Sequence, residues 1–186
     1  DGDFVFFAYM LALGKFFSII SALDTGSSFE GMGANREALF SMLIEPAFFI
    51  ILATLALFTG HTSFSDIFSH FLITGNHYIL IISIISIYVI LQIALVENSR
   101  LPVDDPKTHL ELTMIHEVMI LDNSGFDKAL IHAGTYLKFA MYGSLIYNLI
   151  VPAGWNTPVK VLMFFIVQAL FAVVIGITES FRARNK

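Results

Sequence analysis

The chain has 186 residues, is 56% hydrophobic and 13% charged, and carries a formal net charge of -5. Soluble domains usually hold about 25% charged residues, so this is not an ordinary globular domain, and the negative charge argues against a nucleic-acid partner. There is no cysteine, which excludes disulfides and thiolate-held iron–sulfur clusters within the chain.

Four runs carry few or no charges over about 20 residues, enough to cross a hydrocarbon core of ~30 Å. They are residues 4–23, 39–60, 78–96 and 159–178. A fifth, 129–151, qualifies despite His132 and Lys138. None shows the dyad alternation of β-barrel strands. The sequence therefore reads as an all-α integral membrane protein with about five transmembrane helices, one domain over 1–186, and a charged loop over 97–128 between helices three and four. It begins at Asp1 without Met and enters an apolar run at once, so it is read as lacking its native start.

Lys15 falls near the centre of the first helix. Glu45 lies inside the second, directly before Pro46, whose missing donor and ring clash favour a kink with room for water. Phe64, Ile67, Phe68, Phe71 and Leu72 recur at helical spacing, as a short helix lying in the membrane interface would require. Lys138 falls near the centre of the fourth helix, which Pro152 and the following turn end with Trp155 at interface depth. A charge at mid-membrane costs roughly 2.5–3.5 kcal/mol. Lys15, Glu45 and Lys138 are therefore read either as a chain of titratable sites or as buried pairs that fix helix packing.

The loop opens on Glu97-Asn98-Ser99-Arg100-Leu101-Pro102-Val103-Asp104-Asp105-Pro106, where two prolines deny a continuous helix. Asp104-Asp105 reads as a solvated turn. Thr108 is a candidate N-cap with Glu111 three residues on, and Leu110, Met114, Val118 and Leu121 follow a helical period, with Glu111, Thr113, His116 and Glu117 on the other faces. His109 and His116 lack metal-ligand spacing, so no metal site is expected. His116, beside several carboxylates, is expected to titrate near neutral pH. Glu97 and Glu179 close their helices on this side.

With five helices, one side holds Arg36, Arg100, Lys107, Lys128, Arg182, Arg184 and Lys186, and the other only Lys160. The positive-inside rule then puts the loop and the C-terminus in the cytoplasm of a multi-pass protein of the cell membrane.

The block Glu97-x-x-Arg100-x-Pro102-Val103-Asp104-x-Pro106 resembles the signature of the subunit 1 family of respiratory complex I. Its continuation from Pro106 to Glu117 is similar to the branch of formate hydrogenlyase subunit 4, hydrogenase-4 component C and related subunits of group 4 membrane-bound [NiFe]-hydrogenases. Ala22–Ser27, Gly31–Glu37, Glu45-Pro46 and Glu179-Ser180 with Arg182 and Arg184 fit the same branch.

The resemblance implies an eight-helix membrane subunit at the foot of a cytoplasmic redox arm, so N-terminal helices are missing from this sequence. It implies a charged network of Glu97, Arg100, Asp104, Glu111 and Glu117, with Glu45 as the first intramembrane acid beyond it. Where the family usually has Glu-Tyr-Ser-Gly, this chain has Asp122-Asn123-Ser124-Gly125, keeping an acid but losing the aromatic hydroxyl.

The expected function is a membrane anchor and proton-handling subunit of a formate hydrogenlyase or hydrogenase-4 type complex. It is a non-catalytic subunit with no cofactor of its own, the [NiFe] and iron–sulfur centres residing on partners. Those partners are hydrogenase large and small subunits, an iron–sulfur subunit and antiporter-like membrane subunits. Proton handling falls to Glu45, Glu97, Asp104, Glu111, Glu117, Asp122, Glu179, Lys15 and Lys138, the lysines resting on burial logic alone. Docking falls to Arg36, Arg100, Asp105, His109 and His116. A redox change at the arm alters the field at Glu97, Glu111, Glu117 or Asp122, and Glu45 and the buried lysines relay it. The alternatives are a quinone-site subunit of an NADH–quinone oxidoreductase, a purely structural anchor, and a standalone ion transporter.

Overall fold

A computed structural model describes residues 3–71, 77–101, 103–104, 114–152 and 154–181. The sequence readings at Asp105, Lys107, Thr108, His109, Leu110, Glu111, Thr113, Arg182, Arg184 and Lys186 lie outside the described residues. The elements are α1 (Asp3–Asp24), α2 (Ser28–Thr59), α3 (Phe64–Phe71), α4 (His77–Glu97), a 3-10 turn (Val118–Ile120), α5 (Gly125–Ile150) and α6 (Thr157–Phe181), with no strand among the described residues. The chain is an all-α membrane protein.

Four helices, α1, α2, α4 and α6, are long and apolar enough to cross a membrane. α5 has the length, 26 residues, but Lys138, Ser144 and Asn148 leave it less apolar than the others. It runs antiparallel to α4: Lys138 meets Glu97 at the end of α4, and Leu149 O accepts from Ser83 Oγ near its start. The fifth expected span is therefore a long bundle helix whose polar side chains face protein as well as surroundings.

The helix ends follow local chemistry. Ser124 caps α5 by accepting from the Asp127 N–H, with the Asp127 carboxylate favourably placed in the first turn. Pro152 prevents α5 from continuing. α2 closes on Gly60, whose positive φ of 72° lets its N–H return to Ala56 O. α4 ends in the same left-handed manner without glycine. Ser99 has φ 54°, its N–H bonds Val96 O, and the Arg100 N–H bonds Leu95 O. This is a Schellman closure that turns the loop sharply off Glu97.

Two boundaries correct the sequence reading. α2 starts at Ser28, so the expected connection over 24–38 is mostly helix. The polar residues of its first turns misled the apolar-run criterion. At 32 residues α2 is about 48 Å long, more than a bilayer core requires. It also runs continuously through Pro46. The second correction concerns the loop. Residues 114–121 are turns and one 3-10 turn, not part of an amphipathic helix. Val118 is buried while Leu121 is exposed, so Met114, Val118 and Leu121 do not share a face.

α3 forms where its Phe and Ile spacing places it. Its apolar side packs into protein: Ile67 and Phe71 are fully buried and Phe64 sets its ring edge-on to Phe7 of α1.

The core has two parts. The larger gathers Phe48, Leu52 and Leu55 of α2, Ile90 and Ala94 of α4, Tyr142 and Leu149 of α5, and Phe171 of α6. The smaller gathers Ala22 of α1, Ala34 of α2, and Met119 and Ile120 of the loop, with Ile19 and Ile131 against them. α4 stops at Glu97, level with the middle of α1 and α5. Beyond that level the loop takes its place between α1, α2 and α5.

The loop can lie this close because Gly33 has no side chain. A Cβ there would stand 2.9 Å from Ile115 O and 3.0 Å from Met119 Cγ, whereas at Gly31 it would meet open space. Gly33→Ala is accordingly expected to lift the 115–120 segment, speeding its proteolysis about tenfold or more, while Gly31→Ala leaves it unchanged or slightly firmer through helix propensity. Limited proteolysis of the two variants in detergent checks this, and equal cleavage rates would contradict it.

Candidate functional site: a buried charge cluster beneath the loop

α1 presents Lys15 inward at its midpoint, α2 presents Glu37, α4 ends on Glu97, and α5 presents Lys138. Lys15 Nζ donates to Glu37 Oε1 and lies 3.3 Å from Glu97 Oε2; Lys138 Nζ donates to the same Glu97 oxygen at 3.2 Å. The Lys15, Glu37 and Glu97 side chains are about nine-tenths buried or more. Charges so enclosed persist only when paired, since each loses several kcal/mol of hydration. Here two lysines offset two carboxylates, and Glu97 is shared between the lysines.

Glu45 stands beside this cluster, not in it. A cavity of about 20 Å³ is lined by Glu45, Lys15, Glu97 and Tyr142, room for about one water. On its other side Glu45, with Ser41, lines an open groove of about 380 Å³ between α1 and α2. The expectation of buried pairing thus holds for Lys15 and Lys138, through Glu37 and Glu97, and not for Glu45.

The remaining sequence-predicted residues fall in three places. Arg100 pairs with Glu179 near the end of α6, at 3.4 Å and partly exposed, which ties the start of the loop to α6. Asp104 is buried, not a solvated turn: its two carboxylate oxygens accept the N–H groups of Ile115 (3.0 Å) and His116 (2.9 Å), clamping the loop's two arms together. Asp122 is exposed, and it is its backbone N–H that binds, donating to Glu30 Oε1 at 2.9 Å. Arg36 and Glu117 are half-buried at the loop end, outside the ion cluster.

Sequence reasoning missed Glu37 and Glu30 as site residues. Once α2 starts at Ser28, Glu37, Ser41 and Glu45 are spaced i, i+4, i+8 and lie along one side of the helix. That stripe is legible only once the polar residues before Leu39 are counted as helix, and in the sequence alone Glu37 looks like part of a connection. Glu30 is completely buried, with Oε2 lacking a partner among the described residues, as do Asn98 Oδ1, Arg100 Nε and His116 Nδ1.

Among the described residues no group of three His, Asp or Glu is arranged to hold a metal ion. The arrangement is one of paired ions at a helix end, with the Glu45 carboxylate across a cavity of about 20 Å³ from them and a loop clamped over them.

Fold and site together define an α-helical membrane protein organised around a buried ion cluster. Residues 1–185 match the family described as NADH dehydrogenase, and the chain belongs to that family. It is similar to hydrogenase-4 component C of Escherichia coli (strain K12), with 33% identity over 153 residues, 82% of this chain and 47% of that protein. It is also similar to formate hydrogenlyase subunit 4 of the same organism, with 29% identity over 181 residues, 95% of this chain and 57% of that protein. The chain spans about half the length of these curated relatives. No solved structure matches it.

His116 departs from the expected titration near neutrality. Burial first, then the nearby Lys15 and Lys138, push its pKa below the ordinary 6.5, against the pull of Glu37 and Asp104. The ring is thus neutral in the folded chain and takes up a proton more readily when the loop is released. Its contribution to loop docking is complete above about pH 6.5 and is lost as pH falls through His116's own, lower pKa. Histidine-selective NMR is expected to show this ring titrating below the ordinary histidine value of 6.5, with His116→Phe removing the acid-side loosening of the loop. A His116 midpoint at or above the ordinary value would contradict the assignment.

Proposed function

We propose that this chain is the membrane anchor and proton-handling subunit of a membrane-bound [NiFe]-hydrogenase complex of formate hydrogenlyase or hydrogenase-4 type, joining a cytoplasmic redox arm to the membrane arm. The names of its relatives support the class of complex. The observation that carries the coupling role is Glu97. It is the last residue of α4 and the first of the loop, it binds Lys15 and Lys138 together, and it shares a water-sized cavity with Glu45.

In this reading the chain forms one membrane domain. The loop and the C-terminus face the cytoplasm, in keeping with the bias of basic residues to that side. Hydrogenase large and small subunits and an iron–sulfur subunit bear on the loop, where Arg36, Arg100 and His116 offer cationic or polar contacts and buried polar atoms lack partners among the described residues. The nickel–iron and iron–sulfur chemistry belongs to those subunits. Loop acids that fall outside the described residues, Glu111 and Asp105, with the half-buried Glu117 and the exposed Asp122, contribute to the field at that contact. Asp104 acts by holding the loop in shape, and Glu179 by holding Arg100.

Mechanistically, a change of charge at the arm moves the loop's field at Glu97. Lys15 and Lys138 then redistribute between Glu97 and Glu37, and Glu45 gains or loses a proton through the intervening water. The α1–α2 groove gives Glu45 its outlet toward antiporter-like membrane subunits. Such sites suit paired groups in a low-dielectric setting, where small displacements carry large energies.

A purely structural anchor has one specific observation in its favour: Glu37 and Glu97 are both fully engaged by lysines, as packing pairs would be. Glu45→Gln separates the two readings, because Glu45 has no ion pair among the described residues. In membrane vesicles containing the assembled complex, the variant is expected to lower proton movement per hydrogen evolved about tenfold, with hydrogen evolution by artificial donors within about twofold of the parent. Unchanged proton movement would leave the structural anchor, and failure of the chain to co-purify with nickel–iron subunits would overturn the hydrogenase assignment itself.

A further inference from the structure

At the end of the bundle away from the ion cluster, α1, α3, α5 and α6 line an open cleft of about 520 Å³. Its volume is within the roughly 300–1,000 Å³ typical of small-molecule sites. Phe7, Phe64, Phe68 and Leu145 supply apolar wall, while Ser65, Asn148 and Lys160 supply polar groups. The mechanism above uses none of these residues.

Lys160 is the charged residue among the described lining residues, and no carboxylate pairs with it among them. It sits in the first turn of α6, a candidate membrane span, five residues beyond the exposed Trp155. That position is interface depth, where lysine and tryptophan favour the headgroup layer. The cleft is also built, not merely left over. Tyr147 Oη donates to Lys160 O at 3.2 Å and sets its ring edge-on to Phe164, fixing the first turn of α6 against α5.

We propose that this cleft is a binding site for an anionic phospholipid, with an acyl chain between α3 and α5 and the phosphate held at Lys160. An apolar-walled cleft lined at the interface by a lysine with no carboxylate partner among the described residues matches an amphiphile of opposite charge. A zwitterionic lipid brings its own ammonium to the same place and is disfavoured. The lipid ties α3 and the start of α6 to α5, at the end of the bundle where no ion cluster does so.

The test uses the protein purified with the subunits it assembles with, exchanged into detergent containing equal phosphatidylglycerol and phosphatidylethanolamine, and analysed by native mass spectrometry. Retained phosphatidylglycerol is expected to exceed phosphatidylethanolamine by at least about tenfold. Lys160→Glu abolishes the preference and Lys160→Arg keeps it. Ser65→Trp, which fills the cleft from an exposed position on α3, lowers retention of both lipids. Equal retention of the two lipids, or an unchanged preference in Lys160→Glu, overturns the proposal. A photo-crosslinker placed at Ser65 that labels a protein chain in place of lipid overturns it as well.

Discussion

The bridge from Glu97 to Lys15 and Lys138 organises the rest of the molecule. Bringing the Glu97 carboxylate and the Lys15 ammonium out of water costs several kcal/mol each, so their positions, and that of the half-buried Lys138 paired with Glu97, are specified by one another. Glu97 fixes where α4 stops. Lys15 fixes the depth of α1, and Lys138 fixes that of α5. Glu37 then requires α2 to run past the point where its apolar sequence begins. Four helices are thereby held in register at one level by four side chains.

Above that level the bundle lacks α4, and the loop replaces it. Asp104 clamps the Ile115 and His116 backbone, Glu30 holds the Asp122 N–H, and Gly33 admits the chain. The two carboxylates work by satisfying backbone donors that would otherwise be left unpaired, at about 1–3 kcal/mol apiece, and Gly33 by leaving room for the chain. The loop is thus part of the folded core, not a surface appendage.

How much of this was legible depended on the kind of signal. Long apolar runs placed α1 and α4 to within one residue at each end and α6 to within three, and the Phe–Ile spacing placed α3, because periodicity and length are local properties. The start of α2 was missed because Glu30, Asn35, Arg36 and Glu37 look like loop, although burial and pairing make them helix. The charges at Lys15 and Lys138 announced that partners must exist. Which acids answered them was a matter of tertiary register, and Glu37 was overlooked in favour of Glu45. Asp104 read as a solvated turn because nothing local reveals that residues 115 and 116 return to it. The family signature located the loop but not its devices.

The most direct test of the central claim is a thermal-unfolding cycle in detergent with Lys15→Met, Glu97→Gln and the double variant. If the cluster acts as one unit, each single change costs about 3–5 kcal/mol by stranding a buried charge, and the double costs clearly less than their sum. Additive losses, or single variants as stable as the parent, would show that these ions do not hold the bundle and the loop together.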